Sequence, residues 1–130
     1  MLIDINTGKE VSRKIPHMDI FSPFTKKIST DDYKRIVDWL NNKIDMDIVN
    51  GKPIQTAGWM PGNRWEGTVF EAISKACNEN KELSSKIFGI IVWETFKARD
   101  DEWGFGKYNL KDIPIESMTY FKLEKRINGT

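Results

Sequence analysis

Residues 83–96, LSSKIFGIIVWETF, constrain the fold more than any other part of the chain. On a helical wheel Leu83, Ile87, Ile90, Ile91 and Ala98 share one half, at the spacing of a single helix face. Phe88, Val92, Trp93 and Phe96 fall on the flanks and back. A helix that is apolar on nearly every side runs through a core, with partners all round it. Ser84, Ser85, Lys86 and Glu94 interrupt the run, and it is too short to span a bilayer. The pattern therefore predicts a buried central helix over 81–98, capped by Asn80.

The remaining elements are read against that helix. Ser29, Thr30, Asp31 and Asp32 form a helix start, with a capping hydroxyl and two acids in the first turn. Tyr33, Ile36, Val37, Leu40 and Ile44 follow as a stripe, with Trp39 at its edge, predicting a helix over 30–46. Thr68 and Glu71 have capping-box spacing, predicting a helix over 68–78 with Val69, Ala72, Ile73, Ala76 and Cys77 inward. A very short loop then makes this helix and the central one antiparallel neighbours. Residues 2–5 alternate apolar and polar, Asn6-Thr7-Gly8 is a turn, and residues 9–15 return as a second strand. Residues 16–29 carry Pro16 and Pro23 and read as an irregular connection pinned by Phe21 and Phe24. Residues 52–56 read as an edge strand because of Pro53. Residues 105–110 and 117–125 read as neighbouring strands, with a Pro114 turn between them.

The expected fold is α+β: three helices packed on one face of a small, mostly antiparallel sheet of three to five strands, in a single domain over 1–130. Strands at both ends and helices in the middle disfavour a doubly wound parallel sheet.

Charge narrows the partners. Twenty Lys and Arg against nineteen Asp and Glu leave a net charge of +1, with the signs interspersed. That balance offers no basic face, so nucleic acid is disfavoured as a partner, and so is an anionic membrane. Cys77 is the only cysteine, so no intrachain disulfide is possible. The first residues lack the pattern of a signal peptide. A cytoplasmic, reducing setting is expected.

No Walker loop, Rossmann fingerprint, nucleophile elbow or zinc-spaced Cys/His cluster occurs, so no catalytic residue, cofactor or metal site is expected. Residues 45–56 fail as a calcium loop: the sixth position is Asn50 where glycine is needed, and the twelfth is Thr56 where glutamate is needed. His17, the only histidine, falls in the irregular segment. Cys77 lies on an apolar stripe, as a buried small hydrophobe would.

Two loops set large aromatics beside glycines: residues 58–67, with Trp59 and Trp65, and residues 100–106, with Trp103 and Phe105. If both meet at one end of the antiparallel helices, these four aromatics wall a pocket, with Asn63, Arg64, Glu66 and Asp101 as polar contacts. The same residues equally suit plugs for the end of a core. Glu94 falls within the core stripe of the central helix, where a charge must be paired or protonated. A bond from Glu94 to the loop carrying Arg64 is the sharpest expectation. The leading functional expectation is a non-catalytic binding or interaction domain that self-associates as a homodimer. The alternative is a small-molecule binder or enzyme using the aromatic pocket, with Glu94 or Glu66 as the acid–base group.

Overall fold

The computed structural model of the chain describes residues 1–11, 18–52, 54–56, 65–106, 109–110, 113–114 and 118–123. Four helices and short antiparallel strands surround one hydrophobic cluster, giving the expected α+β class. The helices are α1 (Met18–Lys27), α2 (Thr30–Val49), α3 (Glu71–Ala76) and α4 (Lys81–Ala98). The strands are β1 (Ile3–Asp4), β2 (Lys9–Glu10), β3 (Ile54–Thr56), β4 (Trp103–Gly106), β5 (Asn109–Leu110), β6 (Ile113–Pro114) and β7 (Thr119–Lys122).

Helix α4 is the element round which the others pack, and it contacts α1, α2 and α3. Ile87, Phe88, Ile90, Ile91, Val92, Trp93 and Phe96 are all buried. The Asn80 side chain accepts from the Leu83 N–H at 3.0 Å, the expected cap. Thr95 is buried without cost because its hydroxyl donates to the Ile91 carbonyl at 2.8 Å. Ala98, placed inward by the wheel, is exposed.

Helix α1 corrects the expected number of helices from three to four. Pro23 made residues 16–29 read as irregular, yet it sits inside a ten-residue helix. A proline in a helix interior costs about 3 kcal/mol. Phe21 and Phe24 offset that cost: both are buried and their rings stack 5.9 Å apart. Burying a side chain of that size contributes about 1.5–3 kcal/mol. Helix α2 runs three residues past its expected end, to Val49, where the chain turns through Gly51 at φ +75°.

Helix α3 begins at Glu71, three residues later than expected. Thr68 and Glu71 do not form a reciprocal box. The Thr68 hydroxyl accepts from the Phe70 N–H, and the Glu71 carboxylate accepts from the Gly67 N–H. Residues 65–70 are thus held in tight turns instead of a first helical turn. Helix α3 is consequently only six residues long. It ends in Asn78 and Glu79, both in the left-handed region at φ 53° and 60°, which reverses the chain into α4.

The main sheet has the order β3-β7-β4, antiparallel throughout, with Trp103 opposite Lys122 and Ile54 opposite Phe121. β3 takes the edge, as its flanking proline indicated. A parallel bridge from Leu2 to Trp103 extends the sheet beyond β4. Gly104 faces Phe121 so closely that a Cβ there would overlap the ring, so this register requires glycine. The sheet joins α4 through Phe96, which is fully buried. It stacks on Tyr120 at 4.1 Å and meets Trp103 edge-on at 4.8 Å. Among the described residues no helix is long and apolar enough to cross a membrane.

Candidate functional site

A cleft of about 660 Å³ opens between α2 and the end of α4. Helix α2 supplies Tyr33, Val37, Asn41 and Asp45. Their spacing of four makes them one row on the helix surface, beside the buried stripe Ile36, Leu40 and Ile44. Helix α4 supplies Glu94 and Ala98, again four apart, and the chain beyond it supplies Arg99 and Asp101.

One end of the cleft is a closed polar network centred on Arg99. Its Nε donates to Asp101 Oδ1 and its Nη2 to Asp101 Oδ2, both at 2.9 Å. Nη2 also donates to Asp45 Oδ1 at 2.6 Å, and Nη1 to Asn41 Oδ1 at 2.9 Å. The network ties the end of α4 to α2; the Arg99 side chain is 12% exposed, while that of Asp45 is 62% exposed. Burial works against the Arg99 charge, but the bonds to Asp101 and Asp45 outweigh it and raise the pKa. Burial likewise opposes ionisation of Asp101, yet the Arg99 bonds hold its pKa below the ordinary carboxylate value. The Trp103 indole N–H lies out of hydrogen-bonding geometry with any described acceptor, although its dipole still favours the Asp101 carboxylate.

The other end carries Glu94. Its Oε1 is buried and has no hydrogen-bond partner among the described residues. Burial raises its pKa, with the Lys97 charge acting in the opposite direction. Tyr33 lies close enough that the Glu94 charge adds to burial in raising the phenol pKa. Phe21 meets the Tyr33 ring edge-on at 6.4 Å and fixes that wall of the cleft.

The residues expected to form an aromatic pocket are distributed differently. Glu94 and Asp101 line the cleft. Trp65 is half-buried against Phe70 and Phe88, with ring centroids 6.1 and 5.7 Å away. Trp103 is fully buried against Phe96, and Phe105 is half-buried and edge-on to Trp93 at 4.9 Å. Phe88 and Phe96 lie eight residues apart on α4, about 12 Å along its axis. Trp65 and Trp103 therefore pack against the core at different points along α4. The physical reason is the shortness of α3, which brings its start to the middle of α4 and not to its end. Glu66 is exposed. Trp59, Asn63 and Arg64 lie outside the described residues, and so does the expected bond between Glu94 and the Arg64 loop. His17 lies outside them too.

Only Glu94 and Asp101 of the described cleft lining were expected as site residues; Tyr33, Asn41, Asp45 and Arg99 are among those that escaped sequence reasoning. The spacing of Tyr33, Val37, Asn41 and Asp45 was a usable signal, since it places a mixed row beside an apolar stripe. Arg99 carried no local signal, because its partners on α2 are distant in sequence. Asp45 and Asp47, the acids of the rejected calcium loop, are committed elsewhere: Asp45 to Arg99, and Asp47 to Lys43 and Gln55. Among the described residues no group of three or more His, Cys, Asp or Glu is placed to hold a metal ion. Cys77 is a buried free thiol whose pKa burial raises. Another cleft, about 580 Å³, lies between the start of α2 and α3. No buried side-chain polar atom among its described residues lacks a partner. Comparison with protein-family models, curated proteins and solved structures finds no match to this chain.

Proposed function

We propose that this chain is a non-catalytic binding domain whose ligand occupies the cleft between α2 and α4. One observation carries the reading: a buried carboxyl oxygen of Glu94, without a partner among the described residues, in a cleft with room for a small molecule. A carboxyl with a buried, unsatisfied oxygen is costly to keep charged, and a ligand that donates to that carboxyl from the cleft reduces the cost. Binding is favoured over acid–base catalysis by the rest of the lining. Asp101 and Asp45 are engaged by Arg99, and among the described lining residues the group with an electrostatic link to Glu94 is the Tyr33 phenol. An enzyme using Glu94 as acid or base remains the alternative. The discriminating experiment is a fragment screen followed by amide shifts in NMR. The expected result is saturable shifts at Tyr33, Asn41, Glu94 and Ala98. Hits confined to other surfaces would contradict the reading.

Self-association is a second reading, supported by a separate observation. Met46, Val49 and Ile54 are 64%, 85% and 57% exposed. The end of α2 and the edge strand β3 are joined by the bond from Gln55 to Asp47 at 2.9 Å, so the segments that carry these residues are neighbours. Exposed apolar residues grouped beside a sheet edge suit a second copy of the chain. Light scattering across a concentration series is expected to show a dimer that Val49→Lys weakens at least tenfold. A strict monomer at the highest concentration removes this reading.

A further inference from the structure

We infer that the cleft between α2 and α4 takes a small organic ammonium, with its charged group on Glu94 and its apolar body along Val37 and Ala98. The inference rests on the binding reading above and assigns the chemical class of the ligand. Three features of the lining lead to it.

First, among the described residues the lining contains four carboxyl groups, on Glu94, Asp45, Asp100 and Asp101, against one guanidinium, on Arg99. Second, that guanidinium has little left to offer. Of its five N–H donors, four make hydrogen bonds to Asp101, Asp45 and Asn41. An anionic ligand would have to break that network to reach Arg99, and it would meet Glu94 as a like charge. Lys97 and Lys122 lie within electrostatic reach of Glu94 and Asp101, and the Met1 ammonium lies within reach of Asp101 and Asp100 while donating to the Arg99 and Asp101 carbonyls, but none of the three lines the cleft. Third, the group at issue is an acceptor. Glu94 lines the cleft and its carboxyl has a buried Oε1 without a partner among the described residues; a donor carrying positive charge makes the stronger, charge-assisted bond to that carboxyl. The Tyr33 ring beside it adds a surface that attracts a cation. Val37 and Ala98 supply apolar contact for a short alkyl chain, a combination that a metal ion or a strongly hydrated cation does not exploit.

The test uses the whole chain and three probes of one length: n-hexylammonium, hexanoate and hexanol, followed by amide shifts and calorimetry. Hexylammonium is expected to bind at least tenfold tighter than the other two, with shifts at Tyr33, Asn41, Glu94 and Ala98. Its affinity should fall at least threefold between low and high salt, a readout that needs no variant. Glu94→Gln is expected to weaken hexylammonium at least tenfold and to leave hexanol unchanged. N-acetyl-lysine methylamide serves as a further arm, presenting the same ammonium flanked by peptide groups. If it binds tighter than hexylammonium, the ligand is a protein side chain, and the small-molecule inference is overturned. If hexanoate or hexanol binds in the cleft as tightly as hexylammonium, the charge preference is overturned while the cleft stands as a binding site. If no probe shifts any cleft residue, this inference and the proposed function both fail.

Discussion

Phe96→Ala is expected to lower the stability of the domain by about 3–5 kcal/mol, the range for truncating a buried aromatic. Phe96 is the joint between the helices and the sheet. It is fully buried on α4, stacked on Tyr120 of β7 at 4.1 Å and 13°, and edge-on to Trp103 of β4. Both partners are themselves almost fully buried, so neither can swing out to fill the space. The cost of a large-to-small change grows with the cavity that remains, and here the walls are rigid rings held by strand pairing. Set against a domain stability of roughly 5–15 kcal/mol, the loss leaves the variant close to its unfolding threshold. Phe96→Leu keeps most of the volume and should cost about half as much. Urea denaturation followed by tryptophan fluorescence measures both. A loss below about 1 kcal/mol for Phe96→Ala would mean that helices and sheet are not coupled through this residue.

Glu94→Gln is expected to raise stability at neutral pH while removing the preference for a cation. The sign follows from linkage. Burial raises the folded-state pKa of Glu94 above its unfolded value, so folding favours the protonated form. Its contribution is fully present below the ordinary glutamate pKa, about 4.3, and is lost as pH rises through the raised value. Glutamine has the shape of the protonated acid and no charge at any pH. Parent and variant should therefore be equally stable below about pH 4, and the variant more stable above the raised pKa. Lys97, whose charge favours the carboxylate, works against this difference without reversing it. Thermal unfolding from pH 3 to pH 8 measures the gap. A variant less stable than the parent at pH 7 would show that the carboxylate is satisfied in the fold.

Central helix, capping residue and edge strand were legible because each rests on a local rule. Residues apolar all round α4 can only be buried, Asn80 stands where a cap is needed, and a proline beside a strand in the sequence signals an edge. Helix α1 was not legible, since its proline is a local signal and the burial that outweighs it is a tertiary one. Ile20, Phe21, Phe24 and Ile28 do fall at helical spacing, and that pattern outranks Pro23. The start of α3 was displaced because Thr68 and Glu71 bond within turns instead of across a helix end. That displacement carried through to the site. A longer α3 would have carried Trp65 toward the end of α4, where Trp103 packs. A six-residue α3 leaves Trp65 beside Phe88 and Trp103 beside Phe96. Glu94 was legible as a carboxyl out of place in an apolar stripe. Its neighbours were not, because the row from Tyr33 to Asp45 resembles an ordinary helix flank until α4 is laid against it.

The central claim, that the Glu94 carboxyl is buried for a cationic ligand, is tested most directly by carbon-13 NMR titration of its side chain. In the free protein the midpoint is expected above the ordinary glutamate value of about 4.3. Saturation with n-hexylammonium is expected to lower it, since a bound cation favours the carboxylate. A midpoint at or below the ordinary value in the free protein, unchanged by the amine, would contradict the account.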